Sequence, residues 1–186
     1  IMINPDTQQT HVASSCSYEE AFERVRELVS HMLTTSPAII RSYTAHLARS
    51  TGKYLRTASL LTCAMDADDA VPYDAILIAA SIEIIHLATL VHDDIIDNAD
   101  LRRGLPTVSR KYGPKVAVLA GDYMYTKALE IAVGNNRTDL FPIMVDATVE
   151  MVKGELYQIQ YSDIDSITID NYYRIIEMKT ARFMAA

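Results

Sequence analysis

Three aspartates in the stretch LVHDDIID, Asp93, Asp94 and Asp97, follow directly on an apolar run, AILIAASIEIIHLATLV. Residues four apart on a helix share a face, so Asp93 and Asp97 project side by side, with Asp94 about 100° around. Like charges so placed repel, weakly when exposed and more strongly when partly buried. A divalent cation turns that repulsion into binding energy. Oxygen-only ligands, with no Cys and no compact His set, select Mg²⁺, which keeps several waters and is completed by substrate phosphate oxygens. Shortly afterwards stand Arg102 and Arg103, whose planar guanidinium groups match the paired oxygens of a phosphate. Carboxylate, metal, phosphate and guanidinium would then alternate in charge. A surface salt-bridge cluster would satisfy the same residues without a metal, and both readings stand at this point.

Other candidates are weaker alone. Lys53 and Arg56, in STGKYLRT, lie three apart at a predicted helix start, where backbone N–H groups favour an anion. The stretch is no phosphate loop, because that pattern would need glycine at Leu47 and Ser or Thr at Tyr54. His86 lies two turns before Asp93 on nearly the same face, although a lone His in an apolar helix is more often a satisfied core residue. Lys179 and Thr180, in a helix with Ile175, Ile176 and Met178, say nothing by themselves.

The elements that must hold these residues read as helices. Ser17 with Glu20 makes a capping-box start for a helix from Tyr18, and a second helical pattern covers Ile39 to Leu47. Thr51-Gly52 breaks the chain before a third, LRTASLLTCAMDA. Asp74 is expected to cap a helix of roughly 24 residues, about 36 Å long, that ends in the aspartates. DNADLRRGLPT reads as a turn-rich connection, and VSRKYG as a short helix or loop. Helices follow over Lys115 to Val133, about Leu140 to Ile159, and from Asn171 on. No alternating β-branched runs suggest a sheet.

Composition agrees with one all-α domain over residues 1–186. About half the chain is apolar (49%), Gly and Pro are few, and Trp is absent. A net charge of −7 argues against nucleic acid as a partner. Cys16 and Cys63 lack metal-ligand spacing and are expected to be reduced thiols of a cytoplasmic protein. The N-terminus lacks the pattern of a secretory signal. Ala75 to Val91 contains Ser81, Glu83 and His86, so a buried core helix is expected and no transmembrane segment.

Six motifs in order, GKYLR, EIIHLATLVHDDIID, DLRRGLPT, GDYMYTKAL, KGELYQ and EMKTA, resemble those of the trans-type polyprenyl diphosphate synthases over about residues 47–181. The resemblance implies an isoprenoid-synthase-type helical bundle around a central cavity, a homodimer, and Mg²⁺ between two Asp-rich motifs. By position, Asp93 and Asp97 would ligate Mg²⁺ with Asp94 in support, and Arg102, Lys179 and Thr180 would hold an allylic diphosphate. Lys53, Arg56, His86 and Arg103 would bind isopentenyl diphosphate. The implied reaction ionises the allylic C–O bond and lets the isopentenyl double bond attack the resulting cation. Aromatics just before the first aspartate close the product pocket early in this family. The small Ala88 and Thr89 therefore predict a product longer than fifteen carbons, of the hexaprenyl, heptaprenyl or octaprenyl type.

The chain departs from the family in two respects. Thr51, Tyr54 and Thr57 replace a glycine, an arginine and a proline of the usual GGKRxRP, which alters the expected isopentenyl site. A second Asp-rich motif is missing; Asp163, Asp165 and Asp170 lack its spacing. The expectation is a chain without the C-terminal part of the bundle, and an inactive portion or non-catalytic partner chain is an alternative to an active enzyme. A terpene cyclase would need its own second metal motif. A di-metal carboxylate bundle, suggested by Glu83 and His86 as ExxH, would need a second ExxH.

Overall fold

The computed structural model describes residues 15–49, 52–135, 137–161 and 167–185. The N-terminal segment expected to carry no signal, Thr51, Asp163 and Asp165 lie outside the described residues. The chain divides into two compact units, Ile1–Ile131 and Ala132–Ala186.

In the first unit, strand β1 (Ser15–Ser17) leads straight into α1 (Tyr18–Thr34). The Ser17 hydroxyl accepts from the Glu20 N–H at 3.2 Å, as the capping pattern predicts. Glu20 itself turns forward to Arg24. Ala21, Val25, Val29 and Leu33 are buried at helical spacing. Helices α2 (Ala38–Ala48) and α3 (Leu55–Ala64) follow, and strand β2 (Ala70–Pro72) pairs antiparallel with β1.

Helix α4 (Tyr73–Ile96) is the central element. Its 24 residues match the expected length, but Asp74 is not its cap: Pro72 holds that place, and Asp74 lies in the first turn. Pro fits there because the first helical N–H groups lack intrahelical partners anyway. Buried residues lie on several sides of α4, including Ile76, Ala80, Ile84, Ile85, Ala88 and Val91, as suits a helix packed between α1 and α3. Among the described residues it is the one helix long and apolar enough to cross a membrane. Two-thirds (67%) of its most apolar stretch is buried inside the fold.

Two small ladders correct the expectation of no strand pairing. One joins β1 to β2; the other is a hairpin of β3 (Leu101–Arg102) and β4 (Leu105–Pro106). Arg103 and Gly104 both have positive φ, 51° and 78°, as a two-residue type I′ turn requires. Arg103 at its tip hid this hairpin, because arginine is not the usual Asn or Asp signal. Helices α5 (Val108–Tyr112) and α6 (Pro114–Gly134) come next.

The second unit is built on α7 (Phe141–Gln160) and α8 (Ile169–Ile176), which starts two residues before the expected Asn171 because Thr168 caps it. The chain then widens into a π turn (Glu177–Ala181) before α9 (Arg182–Ala185).

Candidate active site

Helix α4 ends by a change of backbone hand. The Asp97 N–H donates to the Asp93 carbonyl at 2.8 Å, and Asn98, at φ 51°, turns the chain away. Asp93 and Asp97 therefore keep their i, i+4 relation, with Asp93 half-buried and Asp97 exposed. They stand at the negative pole of the helix, whose last turn contains no basic residue. This end of α4 is electrostatically unfavourable to carboxylates unless cations face it.

One cation is present for Asp94. Its carboxylate is 4% exposed and takes two charge-assisted contacts from Arg102, Nε at 2.8 Å and a terminal nitrogen at 2.7 Å. Asp94 is therefore turned about 100° from Asp93 toward the hairpin, fixing Arg102. The hairpin is fastened further: the Thr107 hydroxyl donates to Ala99 O at 2.8 Å, and buried His46 of α2 meets Pro106 O at 2.7 Å. Asp93 and Asp97 offer hard oxygen donors on one face. That suits Mg²⁺, which takes one or two protein carboxylates and completes its shell with water and phosphate oxygens. Among the described residues, no three His, Cys, Asp or Glu side chains converge to enclose a metal ion.

Along the same stripe of α4, Glu83, His86, Leu87 and Leu90 line a cavity of about 520 Å³. Gly52, Lys53, Tyr54 and Arg56 close it from the start of α3, and Arg103 from the hairpin tip. The structure thus brings Lys53, Arg56, His86 and Arg103 together around one space. Gly52 lets the Arg103 guanidinium approach the backbone closely. A Cβ on it would lie 2.9 Å from an Arg103 guanidinium nitrogen, so any larger residue would push that group aside. Burial, followed by the charges of Arg56, Arg103 and Arg102, pushes His86 down from 6.5 to about 4. Its imidazole is neutral at pH 7, with one donor and one acceptor. Burial likewise lowers Arg56, against the opposing pull of Glu83.

Ala88 and Thr89 do not line this cavity. They lie about 200° and 100° around α4 from Leu90; Ala88 is buried at 2% exposure, and the Thr89 hydroxyl bonds back to His86 O.

In the second unit, Lys179 sits in the π turn against α7. Its ammonium contacts Glu155 Oε2 at 2.5 Å and Gln158 Oε1 at 3.0 Å. Gly154 admits the turn, since a Cβ there would stand 2.7 Å from the Lys179 backbone nitrogen. Thr180 is exposed. Sequence reasoning missed Glu83, Tyr54, Glu155, Gln158 and His46. Glu155 and Gln158 were visible in KGELYQ, and Glu83 in the ExxH, but nothing in the spacing named their partners.

Residues 37–186 match the polyprenyl synthetase family. The chain belongs to that family. Its similarity to individual polyprenyl synthetases agrees. It is 34% identical over 172 residues to the short chain isoprenyl diphosphate synthase of Methanothermobacter thermautotrophicus, covering 90% of this chain and 52% of the relative. It is 32% identical over 165 residues to the octaprenyl diphosphate synthase of Escherichia coli, covering 87% and 50%. The crystal structure of heptaprenyl diphosphate synthase from Staphylococcus aureus superposes with a TM-score of 0.81 at 29% identity, covering 91% of this chain and 54% of that one. The fold is therefore the all-α isoprenoid synthase fold. The chain spans about half the length of the curated polyprenyl synthetases it matches.

Proposed function

We propose that this chain carries the isopentenyl diphosphate pocket and the first metal-binding wall of a trans-prenyltransferase that makes a polyprenyl diphosphate longer than fifteen carbons. The observation that carries the reading is the convergence of Lys53, Arg56, His86 and Arg103 on one cavity, along the α4 stripe that ends in Asp93 and Asp97. Three cations and a neutral imidazole suit the head of a diphosphate, and Leu87, Leu90 and Val29 suit a short hydrocarbon.

In this reading Asp93 and Asp97 hold Mg²⁺, which when bound supplies positive charge to a departing diphosphate. Arg102, held by Asp94, presents its remaining guanidinium edge to the allylic diphosphate. For Lys179 and Thr180 of the second unit, a role toward the allylic diphosphate rests on the EMKTA motif they belong to. Lys53, Arg56 and Arg103 anchor isopentenyl diphosphate, and His86 donates a neutral hydrogen bond. Apolar walls exclude water, which would quench an allylic cation. The chemistry then joins the isopentenyl terminal carbon to the allylic carbon as diphosphate departs, and a proton is lost from the adduct. The working form is a cytoplasmic homodimer.

Incubation with labelled isopentenyl diphosphate, an allylic primer and Mg²⁺ tests the proposal, using this chain and a longer form carrying a second Asp-rich motif. Incorporation into an organic-soluble product by either supports it, and activity only in the longer form assigns this chain half of the site. No incorporation by both refutes it. Asp93→Ala in the active form should abolish turnover while leaving the far-UV circular dichroism unchanged; parental turnover would remove the metal role.

A further inference from the structure

Helix α3 starts without a cap of its own. Its N-cap residue, Tyr54, is in the left-handed conformation at φ 53° and makes no side-chain capping bond. Helix starts normally need such an acceptor for their first N–H groups. It comes instead from another helix. Glu83 of α4, 7% exposed, accepts from the Thr57 backbone N–H at 3.1 Å and from the Thr57 hydroxyl at 2.9 Å, both through Oε1. Thr57 is fully buried. It supplies both donors, the backbone N–H and the side-chain hydroxyl. A carboxylate is also suited to the positive pole of a helix.

Glu83 at the same time lines the cavity that holds Lys53, Arg56, His86 and Arg103. Lys53 and Arg56 lie just before the backbone that Glu83 pins, on the turn leading into α3 and in its first turn. We propose that Glu83 is a positioning residue for the isopentenyl diphosphate pocket, capping α3 through Thr57 and so fixing the backbone that presents Lys53 and Arg56 to the diphosphate. This inference rests on the pocket assignment made above. It predicts an effect opposite in sign to simple electrostatics. If Glu83 acted only as a negative charge in a cationic cavity, its removal would tighten an anion; if it positions the cations, removal loosens it.

Isothermal titration calorimetry of isopentenyl diphosphate against this protein separates the two. Glu83→Ala should raise the Kd about tenfold, the scale of losing a helix cap. Glu83→Gln, which keeps an oxygen to accept both bonds, should recover most of that loss. Thr57→Val, which loses only the hydroxyl bond, should raise the Kd about threefold. Because a structural loss alone would weaken all ligands equally, the KM for the allylic substrate in an active form should move less than twofold. Tighter binding by Glu83→Ala, or an unchanged Kd with a lowered melting temperature, overturns the inference. Should Glu83→Ala fail to fold, Thr57→Val decides alone, and an unchanged Kd there overturns it. Lys53→Ala is the control: if it leaves the Kd unchanged, the pocket assignment fails; if it weakens binding while the Glu83 variants do not, only the positioning role fails.

Discussion

His86 should control both the acid stability of the protein and the proton balance of diphosphate binding. The imidazole is held at about 4 by burial and by three arginines, whereas an unperturbed histidine sits at 6.5. Between these values the unfolded chain binds a proton that the folded chain refuses, so stability falls as pH drops from about 6.5 toward 4 and is level above 6.5. The linkage relation gives a loss of about 2 kcal/mol between pH 7.5 and 5, approaching roughly 3 kcal/mol below pH 4. A loss of 2 kcal/mol lowers the melting temperature of a chain this size by about 4–8 °C. His86→Gln, which cannot titrate, should lose less stability over that interval by the same amount, measured by urea unfolding at both pH values. Proton NMR of the imidazole should place the His86 midpoint near 4. A diphosphate among the same arginines offsets their charge and raises His86 toward its ordinary value. Binding near pH 5.5 should therefore take up protons, seen by calorimetry as a heat that depends on the ionisation enthalpy of the buffer. A midpoint above 6, or equal pH dependence in parent and variant, would refute the reasoning.

The buried pair of Asp94 and Arg102 should give a coupling energy of about 1–2 kcal/mol in a double-mutant cycle of thermal melts. That value is discounted from a fully buried pair because Arg102 is about one-third exposed; coupling below 0.5 kcal/mol (a rough surface-pair value) would make the contact incidental. Gly154→Ala should destabilise by about 1–3 kcal/mol although alanine favours helix, because its Cβ would meet Lys179 backbone at 2.7 Å. An unchanged melting temperature would show that the π turn can move away. Replacing Ala88 by Phe in an active form should shorten the product, read by chromatography of the dephosphorylated alcohols, and an unchanged length would remove the role given to that position.

The helices were legible because their signals are local: Ser17 as a cap, and the apolar run Ala75 to Val91 inside the 24-residue α4. The pairing of distant side chains was not. Nothing in STGKYLRT says that Thr57 will bond a glutamate 26 residues later, and nothing in KGELYQ says that Glu155 will hold Lys179. The aspartates were legible as a constellation, but not their division of labour. Periodicity separates Asp94 from Asp93 by an angle, and only the hairpin that returns Arg102 to it gives that angle a use. The hairpin itself was missed because Arg103 has positive φ, a conformation for which arginine has no preference.

The π turn at Glu177–Ala181 lets this segment carry one residue beyond a regular helix without turning its buried face away. Arg182 N–H reaches back five residues to Glu177 O, so one residue more than an α-helix needs is stored there. The buried positions register the extra residue: Ile175, Met178 and Phe183 face inward, with a step of five where a regular helix would take three or four. Deleting one residue of EMKTA would restore an ordinary helix and leave the phenylalanine four residues after Met178, still on the inward face. Point substitutions at exposed Thr180 or Ala181 leave this count untouched. Loss of a single residue here should therefore be absorbed by the turn, with the place of Phe183 in the core kept.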